Sequence, residues 1–151
     1  MTDEQLKAHT EMRIARPVSE VFEAIVNPVE MTNYFISAGS ARMEAGKTVH
    51  WEFADAGASF EVKVERVEYA RSVAWRGEGN DGETLAEIDL RPDGDSATIV
   101  TVSETGWPRD RAGIDQCIGN SKGWVYFLCC MKAYLEFGIN LRSGGVVAGR
   151  L

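Results

Sequence analysis

The sequence predicts an α+β fold in which one antiparallel β-sheet packs against a long C-terminal helix. Three observations predict it. Apolar residues recur at helical spacing near the N-terminus, alternate with charged residues through the middle of the chain, and form a nearly continuous run near the C-terminus. Short turns without intervening helices join the middle segments, so neighbouring strands must be antiparallel. We expect one sheet of six or seven strands with an apolar and a charged face.

The N-terminal part is predicted to form a strand followed by two short helices. Residues 8–15 alternate weakly, as in a strand. The apolar residues that follow have the i, i+3, i+4, i+7 spacing of one helix face: Val18, Val21, Phe22 and Ile25. Asn27 and Pro28 suit the cap and first turn of a second helix, and Glu30 completes a capping-box pattern.

The middle of the chain is predicted to be a meander of strands. Turn sequences occur at residues 55–57 and 92–95, and residues 77–82 form a polar, glycine-rich loop. Between these turns, apolar side chains alternate with polar ones along each strand. The predicted inner-face residues are Val49, Trp51, Phe53, Phe60, Val62, Val64, Val73, Trp75, Ala86, Ile88, Leu90, Thr98, Val100 and Val102.

The last helix is predicted to include Gly123 and to end at about Leu141. Its start is predicted between about residues 112 and 121. From Trp124 to Leu135 it carries one charge, Lys132. A helix that is apolar on nearly all sides must be covered on more than one side. A curved sheet, the wall of a cavity, or a second subunit would each provide that cover. Residues 143–151 are predicted to be a flexible tail.

Composition limits the classes of function. The 151 residues fit a single domain, 1–151, and 16 basic against 23 acidic residues give a net charge of −7. This charge argues against nucleic acid or an anionic membrane as partner. The N-terminus has no apolar signal core, and no apolar run approaches the ~18 residues of a membrane span. Three cysteines, an odd number, do not form a disulfide framework, so we expect a cytoplasmic protein.

The order of elements resembles a known superfamily. The residues that carry the likeness are 14–25, the break at Asn27 and Pro28, the Trp51 and Trp75 strands, 98–106, 123–124 and 135–138. This pattern is similar to the START-like (SRPBCC) helix-grip superfamily, which includes polyketide cyclase-like and pollen-allergen-like proteins. Within it, the chain most resembles the bacterial homologues of the heat-shock chaperone ATPase activator, the AHSA-type branch. The resemblance covers about residues 9–141 and implies a curved sheet gripping the long helix, with a cavity between them.

The strongest functional candidate is a set of aromatic and apolar residues directed at the space between sheet and helix. Four tryptophans are many for so small a core, and rigid aromatic walls with a few polar groups are typical of small-molecule pockets. We therefore predict a cavity for a small hydrophobic molecule. The candidate lining residues are Tyr34, Phe35, Trp51, Phe53, Trp75, Glu104, Trp124, Phe127, Leu128 and Met131.

Catalytic and cofactor signals are weak in comparison. Glu104 continues the inner-face register of Val100 and Val102, so it is the carboxylate expected nearest the interior. No arrangement of residues resembles a nucleophile with its base, and no metal-ligand spacing or phosphate-binding fingerprint is present. We therefore predict neither a metal nor a cofactor, and the residues define no reaction. His9 and His50 are expected on the surface.

Two other functions compete with ligand binding. Aromatic residues on the outer side of the last helix could form an apolar patch, which would indicate a chaperone-associated or other protein-interaction module, with a two-fold homodimer as the default assembly. The outer residues are Tyr126, Phe127, Cys130, Tyr134, Phe137 and Leu141. The third function is a cyclase- or hydrolase-like enzyme that uses Glu104 with tyrosines of the cavity.

Overall fold

A seven-stranded antiparallel sheet carries one long and two short helices. The computed structural model describes residues 5–79 and 82–147. In chain order the elements are β1 (Lys7–Ile14), α1 (Val18–Val26), α2 (Pro28–Met31), β2 (Ala38–Gly39), β3 (Thr48–Phe53), β4 (Ala58–Glu68), β5 (Ser72–Gly79), β6 (Gly82–Pro92), β7 (Thr98–Thr105) and α3 (Arg111–Phe137). The strands lie in the order β1-β7-β6-β5-β4-β3-β2, and every neighbouring pair is antiparallel. The predicted α+β helix-grip class is confirmed.

The apolar face of the sheet is covered by the helices. Buried and accessible side chains alternate strictly along β7 and β3, as a sheet with one wet face requires. The largest fully buried side chains come from strands and from all three helices, so one core joins them: Ile14, Val21, Ile25, Val26, Met31, Tyr34, Met43, Val49, Val62, Ile88, Leu128 and Met131. The charged face carries ion pairs between neighbouring strands, such as Arg76 with Glu65.

The two short helices share Asn27 as a boundary. Its backbone N–H donates to the Glu23 carbonyl at the end of α1, and its side chain accepts from the Val29 N–H at the start of α2. The predicted N-cap is therefore correct. The predicted capping box is wrong, because the Asn27 N–H is already bonded within α1. The Glu30 carboxylate instead accepts from the Tyr134 hydroxyl at 2.7 Å.

The long helix α3 begins earlier and ends sooner than predicted. Asp110 caps it by accepting from the Gly113 N–H at 2.8 Å, so the helix starts at Arg111, ahead of both the predicted Gly123 and the interval 112–121. It ends at Phe137 and not at Leu141, since Gly138 adopts a left-handed conformation (φ 66°) that closes the last turn.

The C-terminal half of α3 is fixed to the end of β1. The Lys132 ammonium donates to the Arg13 carbonyl, the Arg16 guanidinium donates to the Leu135 carbonyl, and the Glu136 carboxylate accepts from the backbone N–H that follows β1. These bonds hold one half of the helix against the sheet. The first three turns, by contrast, are mostly exposed, and an open groove remains beside them.

Three further predictions concern loops, the tail and the membrane. The predicted loop at 77–82 is shorter, because β5 continues to Gly79 and β6 begins at Gly82; residues 80–81 lie outside the described part. Residues 143–147 form turns beside α3, whereas 148–151 lie outside the described residues. The flexible tail and the single domain 1–151 therefore stay predictions. Within residues 5–79 and 82–147, no helix combines the length and apolarity needed to cross a bilayer.

Candidate functional site

An open groove of about 560 Å³ lies between α3 and the sheet. One side is formed by the middle turns of α3, and the other by side chains from the α2–β2 connection, β3, β7 and the segment after α3. Most of the wall is apolar, with five aromatic side chains, and charged groups lie along it. The lining residues are Phe35, Phe53, Glu104, Gly119, Asn120, Lys122, Gly123, Trp124, Tyr126, Phe127, Arg142, Gly145, Val146 and Val147.

The predicted cavity residues divide between this groove and the core beneath it. In the groove lining are Phe35, Phe53, Glu104, Trp124 and Phe127. In the core, outside the lining, are Tyr34, Trp51, Trp75, Leu128 and Met131, each 5% exposed or less. Residues that the sequence pattern did not distinguish therefore lie in two places, some in the groove wall and some in the buried core beneath it.

An aromatic layer connects core and groove. The Trp75 ring contacts Trp51 in the core at a centroid distance of 5.4 Å and Trp124 in the groove wall at 6.0 Å. Phe35 contacts Phe127 across the groove base at 4.7 Å and Phe53 at 5.2 Å. Most of these pairs are edge-to-face, the arrangement that aromatic quadrupoles favour. Each of these rings therefore contacts at least one other ring.

Glu104 is the buried carboxylate of the groove. It is 5% exposed and accepts from the Thr84 hydroxyl at 2.5 Å and from the Trp124 indole N–H at 2.7 Å. The Asn120 amide donates to both of its oxygens, at 3.1 and 3.3 Å. A buried carboxylate is stable only when such donors replace water. The sequence prediction that Glu104 faces the interior agrees with this position.

The neighbouring strands make room for this carboxylate. Directly opposite Glu104 stand Ala8 on β1 and Ala86 on β6, both buried on the same face of the sheet. Larger side chains in these two places would fill the space that the carboxylate and its donors occupy. The end of β7 therefore ties the sheet to the N-terminal half of α3 through a polar link inside an apolar surrounding.

Arg142 closes one end of the groove. Its guanidinium pairs with Asp55 in the β3–β4 turn at 2.8 Å and lies over the rings of Phe53 and Tyr126, 5.2 and 5.9 Å from their centroids. The Arg142 side chain is only 12% exposed. The ion pair and the cation–π contacts together hold the segment after α3 across the groove.

The tyrosines do not assemble into a catalytic set with Glu104. The Tyr34 hydroxyl donates to the Ala24 carbonyl, and burial raises its pKa well above the ordinary value. The Tyr134 hydroxyl donates to Glu30, and this bond raises its pKa to about 12. Of the three, Tyr126 lines the groove. Burial raises its pKa, and the neighbouring Cys130 thiol adds to the increase.

The histidines and cysteines lie apart from the groove lining. His9 is exposed and bonds to Ser103, and His50 pairs with Glu61 on the charged face of the sheet, so both are on the surface as predicted. Burial raises the pKa of Cys117 and of Cys130, which opposes thiolate formation. Across residues 5–79 and 82–147 no group of three or more His, Cys, Asp or Glu side chains has a geometry that could hold a metal ion.

The sequence analysis missed several groove residues. Asn120 lies one turn before Trp124 on the same helix face, so the i, i+4 spacing would have found it had the helix been extended to its true start. Gly119, Lys122 and Gly123 were missed because the predicted lining consisted of aromatic and apolar side chains and one carboxylate. No sequence signal marks Arg142, because its partner Asp55 is 87 positions away.

The outer face of α3 also differs from the prediction. Phe127 and Cys130, predicted for an outer patch, are buried. Tyr126 and Tyr134 are half-buried. Phe137 and Leu141, which were also predicted for the patch, are exposed. Three exposed apolar side chains that were not predicted lie on another face of the helix: Ile114, Ile118 and Val125.

Comparisons with known proteins agree with this architecture. The protein SSP2350 from Staphylococcus saprophyticus has a similar structure (TM-score 0.78, 31% identity, covering 90% of this chain and 96% of that one). The Aha1 dimer from Colwellia psychrerythraea has a TM-score of 0.74 and 19% identity over 87% of this chain and 97% of that one. DynU16, from the dynemicin biosynthetic locus, has a TM-score of 0.77 and 26% identity over 89% of this chain but 49% of its own.

Sequence comparison identifies the family more directly than these structural likenesses. No protein of curated function matches the chain. The model of one family, by contrast, matches residues 15–136, which is most of the chain and includes α1, the whole sheet after β1, and nearly all of α3. The chain therefore belongs to the family of activator of Hsp90 ATPase homolog 1-like proteins.

Proposed function

We propose that this protein binds one small, mostly apolar molecule in the groove between α3 and the sheet. The observation that carries the proposal is an aromatic groove of about 560 Å³ with a buried, hydrogen-bonded carboxylate in its wall. Small-molecule sites are concave, mostly apolar, and hold a few fixed polar groups that set orientation. A groove of this volume is within the ~300–1,000 Å³ that such sites occupy.

The chemistry of the walls supports binding in preference to catalysis. Glu104 is engaged by three donors, and the Tyr34 and Tyr134 hydroxyls are bonded elsewhere. Acid–base catalysis needs groups that are free to exchange a proton with the substrate, and these side chains are held by other contacts. The relation to DynU16, a protein of the dynemicin biosynthetic locus, is in keeping with a small-molecule ligand. A cytoplasmic location stays a prediction.

Native mass spectrometry of the protein purified from its own host tests the proposal. We expect a bound species of low molecular mass that is released by organic solvent. The fluorescent aromatic anion 1-anilinonaphthalene-8-sulfonate should also bind to the stripped protein. Its sulfonate should be attracted by Lys122 at the groove, so Lys122→Glu should weaken probe binding.

Lys47→Glu is the matched control, because Lys47 is an exposed lysine in the loop before β3 and does not line the groove. It should leave probe binding unchanged. A protein that carries no small molecule, together with probe binding that ignores both substitutions, would contradict the proposal.

A second candidate function is interaction with a second copy of this chain. Ile114, Ile118 and Val125 are 42%, 52% and 45% exposed, and their spacing places them on one face of α3. Exposed apolar stripes on soluble proteins often mark partner surfaces. The Colwellia relative is a dimer in solution, which supports a second copy as the occupant and a homodimer as the assembly.

Light scattering at micromolar concentration tests this candidate. We expect a dimer for the wild type and a monomer for Ile118→Asp, because burying an unpaired carboxylate in an apolar interface is costly. Val29→Asp is the control, since Val29 is 72% exposed in α2, away from this face. A monomeric wild type would refute the homodimer.

A further inference from the structure

Among residues 5–79 and 82–147, no packing contact requires glycine at two positions in the middle of α3, Gly119 and Gly123. A Cβ atom built on Gly119 or on Gly123 meets no atom within 4 Å. Gly113 of the same helix is different, because its Cβ would lie 1.7 Å from the Pro108 carbonyl oxygen. Glycine is unfavourable in a helix interior, where only proline is worse. Close packing therefore explains Gly113 and leaves Gly119 and Gly123 unexplained.

Both unexplained glycines line the groove. They are four residues apart, so they lie on one face of the helix, one turn above the other. Tyr126 and Phe127, one turn further on, continue this face on either side of it. Any side chain at either glycine position would project into the open volume. The helix backbone itself thus forms a flat section of the groove wall.

The rest of the groove restricts the shape and polarity of an occupant. Phe35, Phe53 and Trp124 are flat rings in the groove wall, beside an open volume that can hold another flat ring. Phe35 contacts Phe53, and Phe127 contacts both Phe35 and Trp124. Glu104 lies in the wall, and one of its three donors, Asn120, is exposed in the same lining, so a hydroxyl or N–H group of a ligand can take the place of the Asn120 amide. Of the cations in the lining, Arg142 is already paired with Asp55, and Lys122 lies at the exposed rim.

We propose that Gly119 and Gly123 determine ligand specificity by keeping the groove deep enough for a flat ring system whose hydroxyl or N–H group donates to Glu104. The proposal rests on the proposed ligand-binding function and adds to it the residues that select the ligand. It also explains why a helix retains two residues that weaken it.

The test uses 2-naphthol as a flat ring with a donor, and isothermal titration calorimetry as the readout. We expect the double variant Gly119→Ala/Gly123→Ala to bind 2-naphthol about tenfold or more weakly than the wild type, because two methyl groups would project from the flat section of wall against which the ring lies. The flexible alcohol 1-octanol, which can bend around them, should lose less affinity. The ring without the donor, 2-methoxynaphthalene, should bind the wild type about tenfold more weakly than 2-naphthol.

A stability measurement separates a ligand role from a structural one. Since alanine favours helix and its methyl meets nothing at either position, the melting temperature of the double variant should rise by about 2–8 °C. Gly77→Ala is the matched control. Its Cβ also meets nothing, but it lies in β5 and outside the groove lining, so 2-naphthol binding should not change.

Several results would overturn the inference. If the double variant binds 2-naphthol as tightly as the wild type, the two glycines do not determine specificity. The proposed binding of a small molecule in the groove would not be affected by that result. A lowered melting temperature would show that the two positions are not open. Equal affinity for 2-naphthol and 2-methoxynaphthalene would show that a hydrogen bond from the ligand hydroxyl to Glu104 does not contribute to binding. A wild type that binds none of the three compounds would count against the groove as a ligand site, and so against the proposed function as well.

Discussion

Removing the Glu104 carboxylate should destabilise the protein through the donors that it leaves behind. In the folded state the carboxylate accepts from Thr84, Asn120 and Trp124. Glu104→Ala leaves the Thr84 hydroxyl, which is buried, and the Trp124 indole N–H without an acceptor. Asn120 is exposed and can bond to water instead. Two of the three donors therefore carry the effect.

The size of the effect follows from these contacts. A hydrogen bond to a charged group contributes about 1.5–3 kcal/mol, so the loss of two such bonds costs about 3–6 kcal/mol. Part of this loss is offset, because the variant no longer removes a carboxylate from water. We expect a net decrease of about 2–4 kcal/mol in the free energy of unfolding.

Urea unfolding with linear extrapolation measures this decrease, and a double-mutant cycle assigns it. Thr84→Val removes the hydroxyl with little change of shape. In the wild type it should cost about 1–2 kcal/mol, and in the Glu104→Ala background less than about 0.5 kcal/mol. The resulting coupling energy of about 1 kcal/mol or more belongs to the Thr84–Glu104 bond.

Glu65→Ala is the control, since Glu65 forms an exposed ion pair with Arg76 on the charged face of the sheet. Surface pairs contribute about 0–1 kcal/mol. The loss of a desolvated carboxylate that holds buried donors must destabilise the protein. A Glu104→Ala variant as stable as the Glu65→Ala control would therefore refute the reasoning. Additive effects of Glu104→Ala and Thr84→Val would refute it as well.

Three other predictions concern α3. Burial raises the pKa of Glu136, but bonds from Lys132 and a backbone N–H outweigh it and leave a net decrease. The stabilising contribution of Glu136 is thus present above about pH 4.5 and is lost as the pH falls through the lowered pKa. In urea unfolding, Glu136→Gln should lower the free energy of unfolding by about 1 kcal/mol at neutral pH and by progressively less in acid. Tyr134 has a pKa of about 12 because it donates to Glu30, so its contribution is present below about pH 10 and is lost toward pH 12. The stability difference between wild type and Tyr134→Phe should shrink over that interval, and a constant difference would contradict the assignment. Gly138→Ala should lower the free energy of unfolding by about 1–2 kcal/mol, since φ is 66°, and an unchanged melting temperature would contradict that cap.

Local signals were sufficient for most elements. The alternation in β3 predicted its inner-face residues, Val49, Trp51 and Phe53, because a half-buried strand must alternate. The register of β7 placed Glu104 on the inner face for the same reason. The start of α3 was predicted only as an interval, about 112–121, since its first turns are mostly exposed and the Asp110 cap that defines them gives a weak signal.

The sequence by itself determined the class of fold, the family resemblance, and which face of each strand is apolar. Those properties depend on periodicity, which neighbouring residues carry along the chain. Only the tertiary structure decided which aromatic rings form a groove wall and which form solid core, because burial depth depends on contacts between distant segments. Arg142 reaches Asp55 across 87 positions, and Trp124 meets Glu104 only after α3 folds over β7. No local pattern encodes those distances.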